Sequence, residues 1–302
     1  MSEAALACAL LALDPAGLKG AVLKGDATAF LATLRRLSGR KLHRVPPHTG
    51  IDRLTGSIDV AATLKSGAPV HDHGLLAEAD GLLLLTSAER LGLDKAALVA
   101  AAMDHGAPFT LIAHDEGIDD ERVAMILSER VAFLLEAPSF EEIEIDIAAA
   151  RAVLPQVAIP DHVTEGLCQT ALALGISSIR PAVMALRAAR AIAALDGRRA
   201  VDDDDAALAA RLILGPRAVT FPSVAEEPEQ PAPQDAPEPG EDDGAPMPKE
   251  LADRLLDAIK ASLPPGLLAA LEKNLRQPGS KAGAGAVSQK AGLKRGRPAG
   301  TR

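Results

Sequence analysis

Residues 81–85 read Gly-Leu-Leu-Leu-Leu. An uninterrupted apolar run of that length is too short for a helix that packs on one face. It fits a strand buried on both sides at the centre of a mostly parallel sheet. Further short apolar runs at 20–24, 41–45, 109–113 and 131–135 are read as strands. Helical patterns fill 28–38, 88–104 and 119–128. Strands alternating with helices over residues 1–136 predict an α/β core, with the sheet sandwiched by helices. Alanine and leucine dominate, and the chain holds no Trp or Tyr and five Phe, which favours a helix-rich fold.

Residues 137–217 change character and are read as a small domain of helices only. Ile179, Val183, Leu186, Ala189 and Ala193 recur at spacings of three and four, as on one helix face. Asp202 to Asp205 open the next helix with carboxylates at its positive end. Residues 218–248 carry eight prolines, eight acidic residues and no Lys or Arg, the composition of an extended linker. Over 249–275 an amphipathic helix is expected, broken at Pro264-Pro265. From Lys273 to Arg302 eight basic residues and no acidic ones predict a disordered tail. The net charge of −9 therefore divides into +7 for residues 249–302 and −16 for the rest.

Cys8 and Cys168 are far apart in apolar surroundings, as expected of free thiols in a reducing compartment. The first residues lack the basic region of a signal peptide, and no apolar run reaches about 18 residues. A cytoplasmic location is the expectation.

The stretch "GAVLKGDATAFLATLRRL" (20–37) has the strand–glycine–helix order on which nucleotide-binding proteins build a phosphate loop. Such a loop needs Gly-x-x-x-x-Gly-Lys-Ser/Thr, whose backbone N–H groups, lysine and hydroxyl hold the phosphates and Mg²⁺. After Gly25 the next glycine is Gly39 and the next lysine Lys41. Asp26 can cap the helix, placing a carboxylate where a phosphate would sit. The strand ending at Leu85 should supply an Asp-Glu pair for Mg²⁺ and water, yet Thr86 and Ser87 follow it. Both losses argue against ATP hydrolysis.

At these residues the chain resembles the magnesium chelatase family. "TGIDRLTGSIDVAATLKSGAPVHDHGLLAEADGLLLLTSAERLGLD" (49–94) is similar to its AAA+ module. The likeness continues through "HDEGIDDERVAMILSERVAFLLE" (114–136), "ISSIRPAVMALRAARAIAALDGRRAV" (176–201) and "KRGRPAG" (294–300). The family's ATPase I subunit keeps an intact phosphate loop and the Asp-Glu pair. Its D subunit joins a degenerate AAA+ module to an acidic proline-rich linker and an integrin-I domain. The chain looks like the D subunit, as an N-terminal portion without the integrin-I domain. The resemblance implies a non-hydrolysing AAA+ core over 1–136 and a helical lid over 137–217.

It further implies that Arg130 is an arginine finger, pointing at a neighbouring subunit's ATP. Arg180 takes the place of the lid arginine that senses the γ-phosphate, although the local Arg-Gly-Glu of the ATPase subunit is Arg-Pro-Ala here. No nucleotide or metal bound by this chain is implied. The complex would use ATP and Mg²⁺, with the I subunit as ring partner. The H subunit would carry protoporphyrin IX, on the route to chlorophyll or bacteriochlorophyll.

Other features point elsewhere. His71, Asp72 and His73 are metal-ligand types in one cluster, read as a solvated loop. "HDEGIDDER" is acidic enough to suggest Mg²⁺ and is read instead as an exposed helix start. "RGRP" (295–298) resembles a minor-groove-reading core, so a nucleic-acid adaptor is one alternative, opposed by the acidity of the remaining chain. A stand-alone ATPase is the other, requiring Lys24 or Lys41 to reach phosphate.

Overall fold

A computed structural model describes residues 1–118, 120–136, 140–141, 143–220 and 248–262. Its main sheet contains Gly20–Lys24 (β1), Leu42–Val45 (β2), Gly81–Leu85 (β5), Phe109–Asp115 (β6) and Phe133–Glu136 (β7). Gly56–Ile58 (β3) and His71–His73 (β4) form a separate antiparallel hairpin. The five strands lie in the order β2-β5-β6-β1-β7, all parallel.

Alternation along each strand divides the core. Ala21, Leu23, Leu82, Leu84 and Ile112 belong to one cluster, on one face of the sheet. Val22, Leu83, Leu85, Leu111 and Ala113 belong to another, on the opposite face. This is the period-two consequence of the pleat. All five residues of β5 are buried, and each buried leucine contributes about 1.5–3 kcal/mol. The first cluster runs on through the helix Glu3–Leu13 into the helical lid.

The α/β architecture agrees with the sequence reading, while several bounds differ. The helix expected over 88–104 is two pieces, a 3₁₀ turn Ala88–Arg90 and the helix Leu93–Asp104, separated by the cap glycine Gly92. Where a helix was expected over 119–128, only Met125–Ser128 is helical among the described residues. The segment "HDEG" is no helix start. Its Asp115 is the last residue of β6, which extends two residues beyond the expected 113. His71, Asp72 and His73 form an exposed strand rather than a loop. The helix Glu3–Leu13 escaped sequence reading because ten of its eleven residues are buried, leaving no apolar period to detect. Cys8 lies in it, and its thiol, donating to the Phe30 carbonyl at 3.8 Å, is pushed up to about 12 by burial.

The lid contains Asp161–Ala173, Ile179–Leu195 and Asp203–Ile213. Asp202 and Asp205 open the last of these in a reciprocal capping box, and Asp205 also receives two 2.6 Å bonds from Arg198. The helix Pro248–Ser262 packs Leu251, Leu255 and Ile259 into the same cluster. Gly166 makes room for it, because a Cβ there would come within 2.9 Å of the Leu251 side chain. The apolar face expected on Ile179–Leu195 is corrected at its first turns: Ala189 and Ala193 are buried, but Ile179 and Val183 are exposed. Residues 221–247 of the expected linker 218–248, the end of the expected helix beyond 262 with Pro264-Pro265, and the whole basic tail 273–302 lie outside the described residues. No helix among the described residues is long and apolar enough to cross a membrane.

Candidate functional site

Parallel strands give the sheet two chemically distinct edges. At the edge where β1 ends, Gly25 turns the chain with φ +89°. Its N–H donates to the Asp115 carbonyl at 3.2 Å, and the His114 ring meets its carbonyl at 2.7 Å. Three residues separate Lys24 from Thr28, where the helix Thr28–Ser38 begins. Asp26 accepts the Thr28 N–H at 2.9 Å. Hydrogen bonds from Thr28 hold its carboxyl below the usual carboxylate range. Asp26 thus supplies the helix start with an anion from the chain itself.

The neighbouring strand ends complete this edge. Ser87 adopts a left-handed conformation (φ 46°, ψ 53°) and donates to Glu116 Oε2 at 2.6 Å. Glu116 N–H donates to Glu89 Oε2 at 3.1 Å, and Gly117 N–H to the buried Asp115 at 2.8 Å. The cavity here is lined by Lys24 and Gly25, with Asp115, Glu116 and Glu136 opposite. A turn of three residues facing three carboxylates does not fit a nucleotide triphosphate, which needs inward N–H groups and cations. Sequence reading found the missing loop and the Thr86-Ser87 substitution. It read Asp115 and Glu116, within "HDEGIDDER", as an exposed helix start, whereas they stand at the end of β6, where an Asp-Glu pair directly after a β-rich run was the signal.

Arg130 lies at the opposite edge, three residues before β7 begins. Its Nε lies 3.1 Å from both oxygens of Asp104, and its Nη2 2.6 Å from Oδ2. Its Nη1 donates to the Ile126 carbonyl at 2.8 Å. Asp104 closes the helix Leu93–Asp104 and also meets Arg180 Nη2 at 3.5 Å. The Arg130 guanidinium holds the Asp104 carboxyl below its ordinary range. The two arginines chosen from the sequence are therefore brought together on one carboxylate, with Arg180 44% exposed and Arg130 15%.

These groups open onto a cleft of about 310 Å³ between core and lid, with Lys19 and Arg187 also in its wall. Exposed Ile179 and Val183 line it as well, which is where the expected apolar face goes. Gly17 and Lys19, in the turn that leads into β1, border the cleft, whereas Gly25 follows its end. Five residues of strand, roughly 16 Å at about 3.3 Å per residue, separate the two edges.

Comparison with known proteins adds to this geometry. Residues 164–239 match the family described as AAA lid domain. The magnesium-chelatase 60 kDa subunit of Cereibacter sphaeroides is 39% identical, over 98% of this chain and 55% of that protein. The magnesium-chelatase 67 kDa subunit of Chlorobaculum tepidum is 32% identical, over 79% of this chain and 46% of that protein. A crystal structure of a putative ATPase from Cytophaga hutchinsonii shares the fold, with a TM-score of 0.54 and 14% identity over 68% of this chain and 79% of the other. The chain spans about half the length of the curated relatives it matches. With a five-stranded parallel core, an AAA lid and this identity along nearly its full length, the chain belongs to the magnesium-chelatase 60/67 kDa subunit family.

Proposed function

We propose that this chain is a non-hydrolysing AAA+ subunit of magnesium chelatase, of the D type. It binds no ATP at its own degenerate edge. It presents Arg130 and Arg180 to the ATP of a neighbouring I subunit and couples hydrolysis there to Mg²⁺ insertion. The H subunit would hold the protoporphyrin IX that receives the ion, on the way to chlorophyll or bacteriochlorophyll. The complex would act in the cytoplasm.

One observation carries this reading. The arginine pair and the remnant of the phosphate loop lie at opposite edges of one sheet. A guanidinium at the start of the strands cannot serve a phosphate at their ends in the same chain. It can serve a subunit packed against that edge. An arginine so placed spreads positive charge over the transferring phosphoryl oxygens and is worth roughly 10³–10⁵ in rate. Arg130 would exchange a carboxylate partner for phosphate oxygens, so its geometry is set before the neighbour arrives.

The stand-alone ATPase fits less well. Lys24 faces Asp115 and Glu136 in register, and Lys41 sits before β2, with its carbonyl accepting from Leu82 N at 2.8 Å, at the wrong edge. A nucleic-acid role would depend on the basic tail, which lies outside the described residues.

The test combines two measurements. Calorimetry on the isolated chain should detect no micromolar ATP binding. A mixture with the I subunit should lose ATP hydrolysis when Arg130 is replaced by alanine, with assembly preserved. Tight ATP binding by the isolated chain, or an unchanged rate in the Arg130→Ala mixture, would overturn the reading.

A further inference from the structure

Arg217 follows the last helix of the AAA lid match that closes against the core, 85 residues along the chain from its core partner Ala132. Its Nη1 donates to the carbonyls of Ala132 at 3.0 Å and Ile213 at 2.8 Å. Its Nη2 donates to those of Ser128 at 3.1 Å and Val131 at 2.7 Å. All four acceptors are backbone carbonyls, and burial pushes the guanidinium down to about 10. Two of the acceptors are helix ends. Ser128 closes Met125–Ser128 and Ile213 closes Asp203–Ile213, where carbonyls lack intrahelical partners and a cation is favoured.

The acceptors in the core, residues 128, 131 and 132, bracket Arg130. Asp104 grips the Arg130 side chain on the cleft side. Arg217 grips the backbone on both sides of the same residue and joins it to the lid helix that ends at Ile213. A single planar fork is suited to this, because its donors diverge in fixed directions. A lysine ammonium keeps the charge but offers one centre in place of two.

We propose that Arg217 is a positioning residue for Arg130: it fixes the turn 128–132 to the lid so that the Arg130 guanidinium is presented at the cleft in one orientation. This rests on the reading of Arg130 as the group that acts on a neighbour's nucleotide. Arg217 itself touches no nucleotide. The lid and the turn that carries Arg130 then move as one unit, and a lid displacement reaches Arg130 directly.

The experiment is a double-mutant cycle in the complex of this chain with the ATPase I subunit, assayed at saturating chain. Arg217→Lys should lower the saturating rate of ATP hydrolysis about tenfold, with the KM for ATP within about twofold, as expected when a group is misplaced rather than removed. In an Arg130→Ala background Arg217→Lys should lower the rate no further, while its fall in Tm is the same in both backgrounds. An equal loss of rate in both backgrounds, or an unchanged saturating rate, overturns the proposal and leaves Arg217 a purely structural strut. An Arg130→Ala chain as active as the parent overturns the reading of Arg130 and this proposal with it. Should Arg217→Lys melt below the assay temperature, Arg217→Gln, which still donates two N–H groups, is read by the same criteria.

Discussion

The two edges of the sheet are near inversions of each other. At the end of β1 one lysine faces three carboxylates, Asp115, Glu116 and Glu136. Before its start, Lys19, Arg130, Arg180 and Arg187 share the cleft wall with Asp104, which pairs with Arg130 and Arg180, while Arg187 pairs with Asp14. Each edge also holds one non-glycine residue with positive φ, Ser87 at the first and Lys19 at the second. Such conformations persist where surrounding structure over-determines them. The two ends differ in loop chemistry while sharing one frame of buried strands. β1, β5 and β6 pack with no phosphate loop after Gly25 and with Thr86-Ser87 after Leu85.

The comparison is broken most directly by exchanging the roles of its edges. Arg130→Ala should lower the partner's ATP hydrolysis by roughly 10³-fold or more, whereas Glu116→Gln should change it by less than about twofold. A steady-state ATPase assay of the two mixed complexes decides it, and equal effects would erase the distinction. The shared frame is probed next. Leu83→Ala in β5 should cost about 2–5 kcal/mol in a denaturant melt, because a cavity opens beneath both edges at once. A loss below about 1 kcal/mol would show that the sheet is not the common support.

Smaller effects sharpen the picture. Asp205→Ala should cost about 1–2 kcal/mol, since it removes the buried half of a capping box and leaves Arg198 with Asp196 and Asp202 only. Thermal melts with and without the Arg198→Ala change would measure the coupling. The smallest effect concerns protons. Both edges hold a depressed carboxyl, Asp104 through Arg130 and Asp26 through Thr28. A carboxyl depressed in the folded state contributes stability above its unfolded pKa of about 3.9 and loses it as pH falls through the folded value. The Asp104 share, half exposed, is at most about 1 kcal/mol and should vanish only below about pH 4. Carboxyl NMR titration should place both midpoints below 3.9, and Arg130→Ala should raise that of Asp104 alone. A midpoint for Asp104 that ignores Arg130 would contradict the pairing.

Much of the fold was legible because side-chain period is a local property. The run at 81–85 is a central buried strand, and the helix predicted at 28–38 has those bounds. The missing loop after Gly25 is likewise a matter of adjacent residues. Where local pattern fails, the reason is visible. Glu3–Leu13 is buried on all sides and shows no period. Ile179 and Val183 match a core face in spacing, yet they open onto the cleft, because the buried face of the helix runs through Ala182, Ala185 and Ala189 instead.

The sequence by itself determined the alternation of strands and helices, the absence of a phosphate loop and the two arginines worth naming. Tertiary structure alone decided which end of the sheet each residue occupies. It brought Asp104 to Arg130 across 26 positions and Arg217 to Ser128 across 89. The physical reason is that alternation follows from the backbone geometry of neighbouring residues. Edge, partner and orientation follow from which strands pair and how the lid folds back, contacts that only the assembled chain makes.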